Sequence, residues 1–113
     1  MNHDTLLPFQ RLDIYQAAKD LVRRVHEARV RDSEFRDQAT RASKSVFLGL
    51  CEGLPSDSSG IRRRHFEIAN NSLHEVIGAI DGAETIGAMD AELAHRILSL
   101  AVRIKRMIRR LPR

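Results

Sequence analysis

Apolar residues recur at helical spacing in four separate stretches of this chain. Between residues 12 and 30 they fall at Ile14, Ala18, Leu21, Val25 and Ala28, intervals of four, three, four and three that lie on one face of a helix. A second face runs through Phe35, Ala39, Ala42, Val46 and Leu50, predicting a helix over 34–52. A third uses Phe66, Ala69, Leu73, Val76, Ile80 and Ala83, predicting 61–86, and a fourth uses Leu93, Ile97, Leu100, Ile104, Met107 and Leu111, predicting 91–111. No stretch alternates apolar and polar with a period of two, so strands are not expected.

The punctuation between these stretches agrees with the pattern. Asp32-Ser33 is a break with capping chemistry, because a short polar side chain can accept from a free N–H at a helix start. Gly53 reads as a left-handed C-cap, a conformation glycine adopts without steric cost. Pro55 then prevents resumption of the helix, and Ser58 or Ser59 can open the next one. Residues 87–90 form a turn with Asp90 as N-cap, and Pro112 closes the fourth helix. Four helices of about 20 residues, each about 30 Å long, with short connections predict an all-α, up-down-up-down antiparallel four-helix bundle. The whole chain, 1–113, is one domain, with 1–11 as an N-terminal arm.

Two helices carry more than a bundle needs. Beside its core face the third presents Ile68, Ser72, Glu75, Ala79, Gly82 and Ile86, and the second presents Gln38, Arg41, Ser45, Gly49 and Glu52. Small residues permit close helix approach. Two readings stand side by side: packing of helix 2 on helix 3 within one chain, or a contact between subunits, since exposed non-polar surface marks interfaces.

Composition narrows the class. A single cysteine, Cys51, excludes an intramolecular disulfide, and no apolar run approaches the roughly 20 residues of a membrane span. The first ten residues lack the pattern of a signal peptide. A cytoplasmic protein without a membrane partner is expected. Aromatic residues are few (Phe9, Tyr15, Phe35, Phe47, Phe66), which argues against a stacking platform for single-stranded bases.

Charge is abundant and uneven. Nineteen Lys and Arg face 15 Asp and Glu, for a formal net charge of +4. From Arg96 onward the chain carries Arg96, Arg103, Lys105, Arg106, Arg109, Arg110 and Arg113, with no acid after Glu92. In an up-down bundle the start of helix 3 lies at the same pole as the end of helix 4. Arg62, Arg63, Arg64 and Arg11 then join those cations, while Asp81, Glu84, Asp90 and Glu92 gather at the other end. Cations at the end of helix 4 complement its dipole, but three arginines at the start of helix 3 oppose theirs. A phosphate backbone would favour them, since neutralised phosphates release counterions. The candidate nucleic-acid-binding residues are Arg62, Arg63, Arg64, Lys105, Arg106, Arg109, Arg110 and Arg113.

The residues now in hand resemble a bacterial four-helix-bundle family. It comprises proteins encoded by intervening sequences in 23S ribosomal RNA genes (once labelled S23 ribosomal proteins) and accessory variability proteins of diversity-generating retroelements. The resemblance rests on Leu12-Asp13-Ile14-Tyr15, Gln38 with Arg41-Ala42, Ser45-Val46, Glu52-Gly53, Phe66 with Ile68-Ala69, and Ser72 with Glu75. It spans nearly the whole chain. Two positions depart: Gly49 stands where the family pattern has Asn, and Asn71 where it has Gly. The resemblance implies a non-enzymatic bundle assembled into a homo-oligomeric ring, commonly a pentamer. In the retroelement branch it implies a basic partner of a reverse transcriptase and of nucleic acid, RNA or DNA. A structural assembly protein that binds no nucleic acid is the alternative.

Other chemistry is weakly signalled. Glu92 and His95 form one Glu-x-x-His, but a di-iron bundle needs two such pairs plus two further glutamates, and His3, His26, His65 and His74 show no ligand spacing. No metal or cofactor is expected. Ser45, Ser72, Cys51, Glu52 and Glu75 lack a nucleophile turn or a phosphate loop, so no catalytic residue is expected. Gln38, Arg41, Ser45, Glu52, Gly53, Ser72 and Glu75 read instead as a structural polar motif between helices 2 and 3. A buried carboxylate there would need a partner, with Arg41 or N–H groups near a helix start the candidates. Helix 4 is also amphipathic and basic, as an interfacial helix would be, but the last helix of a bundle needs the same pattern.

Overall fold

The computed structural model describes residues 5–112, and the described residues form four α-helices and no strand. The helices are α1 (Asp13–Glu27), α2 (Ser33–Gly53), α3 (Ser59–Thr85) and α4 (Ala91–Arg109). Three open on the residues whose chemistry predicted it. Asp32 accepts from the Phe35 N–H at 2.9 Å, Ser58 from Ile61 at 3.3 Å and Asp90 from Leu93 at 3.0 Å, each satisfying a donor that the first turn leaves free.

The arm is more ordered than a tail. Pro8–Arg11 makes one turn of 3-10 helix, closed by the Leu7 N–H donating to Gln10 Oε1 at 2.9 Å. Gln16 Nε2 donates back to the Gln10 carbonyl at 2.8 Å. Phe9 stands edge-on to Tyr15, whose ring centre lies 5.2 Å from that of Phe47 on α2. Residues 1–4 of the arm and Arg113 lie outside the described residues.

Three helix ends differ from the expectation, and the first is α4, which stops at Arg109, two residues short of Leu111. α1 ends at Glu27 rather than near residue 30, because Arg29 takes a left-handed conformation with φ 50°. Ala28 and Val30 stay buried beyond the helix end. The apolar pattern there recorded burial, not helix. Arg31 then fastens the turn to the α3–α4 connection, with its N–H donating to the Ala88 carbonyl and its guanidinium to the Gly87 carbonyl, both at 2.8 Å. Gly53 is not a left-handed cap. It is the last helical residue of α2, Leu54 beyond it is right-handed, and Gly87 is the glycine at positive φ among the described residues. Gly53 is small because the Phe66 ring lies against it: a Cβ would stand 2.7 Å from the ring.

α2 packs most extensively on α3, and the two run antiparallel. Moving up α2, Phe35 meets Gly82, Gln38 meets Glu75, Ser45 meets Ser72, Gly49 meets Ala69 and Gly53 meets Phe66. The small residues of the second stripes therefore face one another inside one chain. α1 packs on α2 and α4, and α3 packs on α4. The Cα envelope measures 44 × 31 × 20 Å, and its least dimension fits two layers of helices about 10 Å across. Leu21, Leu50, Phe66, Leu73, Ile80 and Ile97 are fully buried between them, each contributing about 1.5–3 kcal/mol of transfer free energy. In α4 the centre of the buried face is Ala94, Ile97, Ala101, Ile104 and Ile108. Leu93, Leu100, Met107 and Leu111, expected on the core face, are only half-buried on its flank.

Candidate nucleic-acid interface

The short α2–α3 connection places the end of α2 beside the start of α3. Phe66 and Ile108 line one cavity, which brings the end of α4 there as well. Arg62 stacks on Phe66, and Phe66 shares a cavity lining with Lys105 and Arg109. The Arg62 guanidinium lies 5.9 Å above the ring centre, a stacking that supplies part of what the helix dipole withholds. Its Nε is buried and has no hydrogen-bond partner. Arg63 and Arg64 are exposed and make no ion pair among the described residues, and the same holds for Arg106 and Arg110. Acids share this end: Glu52, Asp57 and Glu67 lie on or between the same helix termini. The opposite end holds Arg29, Arg31 and Arg36 beside the predicted acids, so the charge asymmetry is weaker than the primary pattern alone indicates.

Lys105 and Arg109 turn from the outer surface toward α3. With Phe66, Glu67, Asn70, Asn71 and Ile108 they line a cavity of about 300 Å³. Lys105 Nζ lies 2.8 Å from His74 Nε2 and 3.5 Å from Asn70 Oδ1. An ammonium is a donor only, so this contact is a hydrogen bond when His74 Nε2 is the acceptor. Asn70, Asn71 and His74 were not among the residues the sequence pointed to. Their signal was the i, i+4 pairing of Asn70 and His74 on the α4-facing side of α3, which has meaning only once α4 is in place. Asn71 is exposed and lines this cavity.

A second cleft lies between α1 and α4. Asp20, Arg24, His95, Arg96, Ser99, Leu100 and Arg103 line about 470 Å³ of open groove. Asp20 holds Arg24 at 2.9 Å and Arg23 at 3.2 Å, while Glu92 holds Arg96 at 2.8 Å. Arg103 has no ion-pair partner among the described residues.

The polar motif between α2 and α3 is real in part and differs in its pairing. Ser72 Oγ donates to Ser45 Oγ at 2.8 Å, with Ser72 buried. Gln38 Nε2 donates to Glu75 Oε2 at 3.2 Å, and Arg41 donates to Gln38 Oε1. Arg41 thus reaches Glu75 through Gln38 rather than directly. Glu52 pairs with His65 at 3.1 Å instead of with Arg41. Both glutamates are exposed, so the cost of a buried carboxylate does not arise. Gly49 brings the two backbones close, a Cβ there standing 3.1 Å from the His65 carbonyl oxygen. The larger Asn of the family pattern would need the helices slightly further apart.

The remaining chemical candidates are scattered. Among the described residues no group of three or more His, Cys, Asp or Glu could hold a metal ion, and Glu92 and His95 are both exposed. Burial pushes the Cys51 thiol up, a hydrogen bond with Tyr15 opposes that, and the Glu52 charge adds to it. The thiol stays protonated near neutral pH and is a poor nucleophile. No helix of the described residues is long and apolar enough to cross a membrane.

A family model described as 23S rRNA-intervening sequence protein matches residues 10–110. No curated protein matches the chain.

Proposed function

Given that this chain belongs to the 23S rRNA-intervening sequence protein family, we propose that it is a non-enzymatic binding module. Its basic pole engages nucleic acid or a nucleic-acid-processing enzyme such as a reverse transcriptase. The observation that carries the reading is the set of exposed arginines without ion pairs at one end, Arg63 and Arg64 on α3 with Arg106 and Arg110 on α4. α3 begins at Ser59, two residues earlier than the periodicity predicts, so Arg63 and Arg64 lie in its second turn and the helix dipole bears on them little. Exposed cations without an ion pair are suited to an external polyanion.

The helix pairing supports an up-down-up-down antiparallel bundle: α2 runs against α3, and Asn70 and His74 meet Lys105 while Phe66 lies level with Ile108. We also propose that the bundle self-assembles into a ring, five copies by its family resemblance, which would repeat the basic pole around an axis. A cytoplasmic setting suits that partner. Assembly without nucleic-acid binding is the second reading, favoured by Leu48 and Ile68, which stay 56% and 39% exposed along the outer edge of the α2–α3 seam.

Reversing Arg63 and Arg64 to Glu leaves the Arg62–Phe66 stack intact. The expected result is weaker binding to mixed-sequence RNA and to a DNA duplex. The slope of log affinity against log salt should become shallower by about one for each phosphate no longer neutralised. Unchanged affinity and slope would remove this pole from the interface.

A further inference from the structure

We infer that the phosphodiester backbone of the bound nucleic acid runs along the outer face of α4, from the pole down to the α1–α4 cleft, rather than resting on the pole alone. This rests on the proposed nucleic-acid reading and places its contacts. Arg96, Ser99, Arg103, Arg106 and Arg110 follow one another at intervals of three, four, three and four residues, and all five are exposed. At about 100° per residue these intervals keep them on one stripe. The stripe carries no acid.

Three local effects could place arginines there without a ligand, and they account for only part of the set. A helix C-terminus favours cations within its last turn, which covers Arg106 and Arg110 at the end of α4. An i, i+4 ion pair accounts for Arg96, held by Glu92 at 2.8 Å. Arg103 has neither, lying more than a turn from the helix end and making no ion pair among the described residues. Burial of its stem, the third effect, does not apply, since Arg103 is exposed on the lip of the cleft.

The dimensions suit a backbone. Arg96 to Arg110 spans about 21 Å at 1.5 Å per residue. A strand winds about the duplex axis as it advances about 3.4 Å per phosphate, so a straight track of this length meets one backbone over part of a helical turn. On α1, Arg24 and Asp20, paired at 2.9 Å, line the cleft opposite Arg96 and Arg103, so the far end of the track is flanked by a second helix. Lys105 and Arg109 are turned toward α3 and are not part of it.

The test is a salt series with RNA and DNA duplexes of about 12 base pairs, roughly twice the track length. The variants are Arg103→Gln/Arg106→Gln, the pole reversal Arg63→Glu/Arg64→Glu, and Lys19→Gln as an exposed cation on α1 outside the cleft lining. Helix content is matched by circular dichroism. The expected result is a slope shallower by about two for the Arg103/Arg106 pair and no change for Lys19→Gln. Comparison of the two duplexes decides which nucleic acid supplies the phosphates. A full slope in the Arg103/Arg106 variant, with a flattened one in the pole reversal, would overturn the track and leave the pole reading standing. Failure of the unaltered protein to bind either duplex at low salt would overturn both. A loss in Lys19→Gln equal to that in Arg103→Gln/Arg106→Gln would reduce the track to general surface charge and overturn it.

Discussion

At Gly53 and Gly78 the same residue type answers to opposite demands. A Cβ at Gly53 would stand 2.7 Å from the Phe66 ring, and Phe66 is fully buried and cannot swing away. At Gly78 nothing lies within 4 Å, so the glycine only loosens the middle of α3. Gly53→Ala is expected to destabilise by about 1–3 kcal/mol through overpacking. Gly78→Ala should stabilise by about 0.5–1 kcal/mol by limiting the unfolded chain and improving helix propensity. Urea denaturation of the two variants reads the opposite signs directly, and equal signs would show that packing does not govern Gly53. The expectation of a left-handed cap at Gly53 was sound local reasoning. It failed because a glycine before a proline-containing loop looks the same in sequence whether it is needed for its φ or for its missing side chain.

At the level of the elements, α2 and α3 form the tightest pair and share a polar seam. Ser72 is buried and donates to Ser45 at 2.8 Å. Ser72→Ala leaves the Ser45 hydroxyl short of its partner and should cost about 1 kcal/mol. Ser45→Ala does the same from the other side. In the double variant both hydroxyls are gone, so its cost should fall below the sum of the two singles. Strict additivity in a double-mutant cycle would show that the bond is not a coupled unit. Gln38 relays Arg41 to Glu75 farther along the seam. The sequence left the partner of these acids open between Arg41 and N–H groups near a helix start, because helical spacing tells which residues share a face and not which rotamers meet across it.

Across the whole molecule, the features that concern function lie on surfaces made by more than one helix. The outer edge of the α2–α3 seam presents Leu48 and Ile68 around a shallow groove with Arg41, Ser45 and Glu52. If the chain assembles as proposed, this edge is the apolar surface a neighbouring copy would cover. Leu48→Glu is then expected to lower the particle mass by light scattering while leaving helix content unchanged. An unchanged mass would place the contact elsewhere. The outer stripe of α4 and the arginines of α3 are independent of that edge, so the assembly variant and the salt-series variants report on separate surfaces.

Four helices, their polar caps and most of the core were determined by the sequence itself, since capping and amphipathic spacing act over a few residues. Tertiary structure alone decided the rest. It rotated α4 so that Ala94 and Ala101 face inward, and it set Lys105 against His74. It also put Arg29, Arg31 and Arg36 among the acids of the far end and left Arg103 unpaired beside the α1–α4 cleft. Those outcomes depend on distances between residues far apart in the chain, where close packing and the reach of a single side chain select one partner from several that periodicity allows.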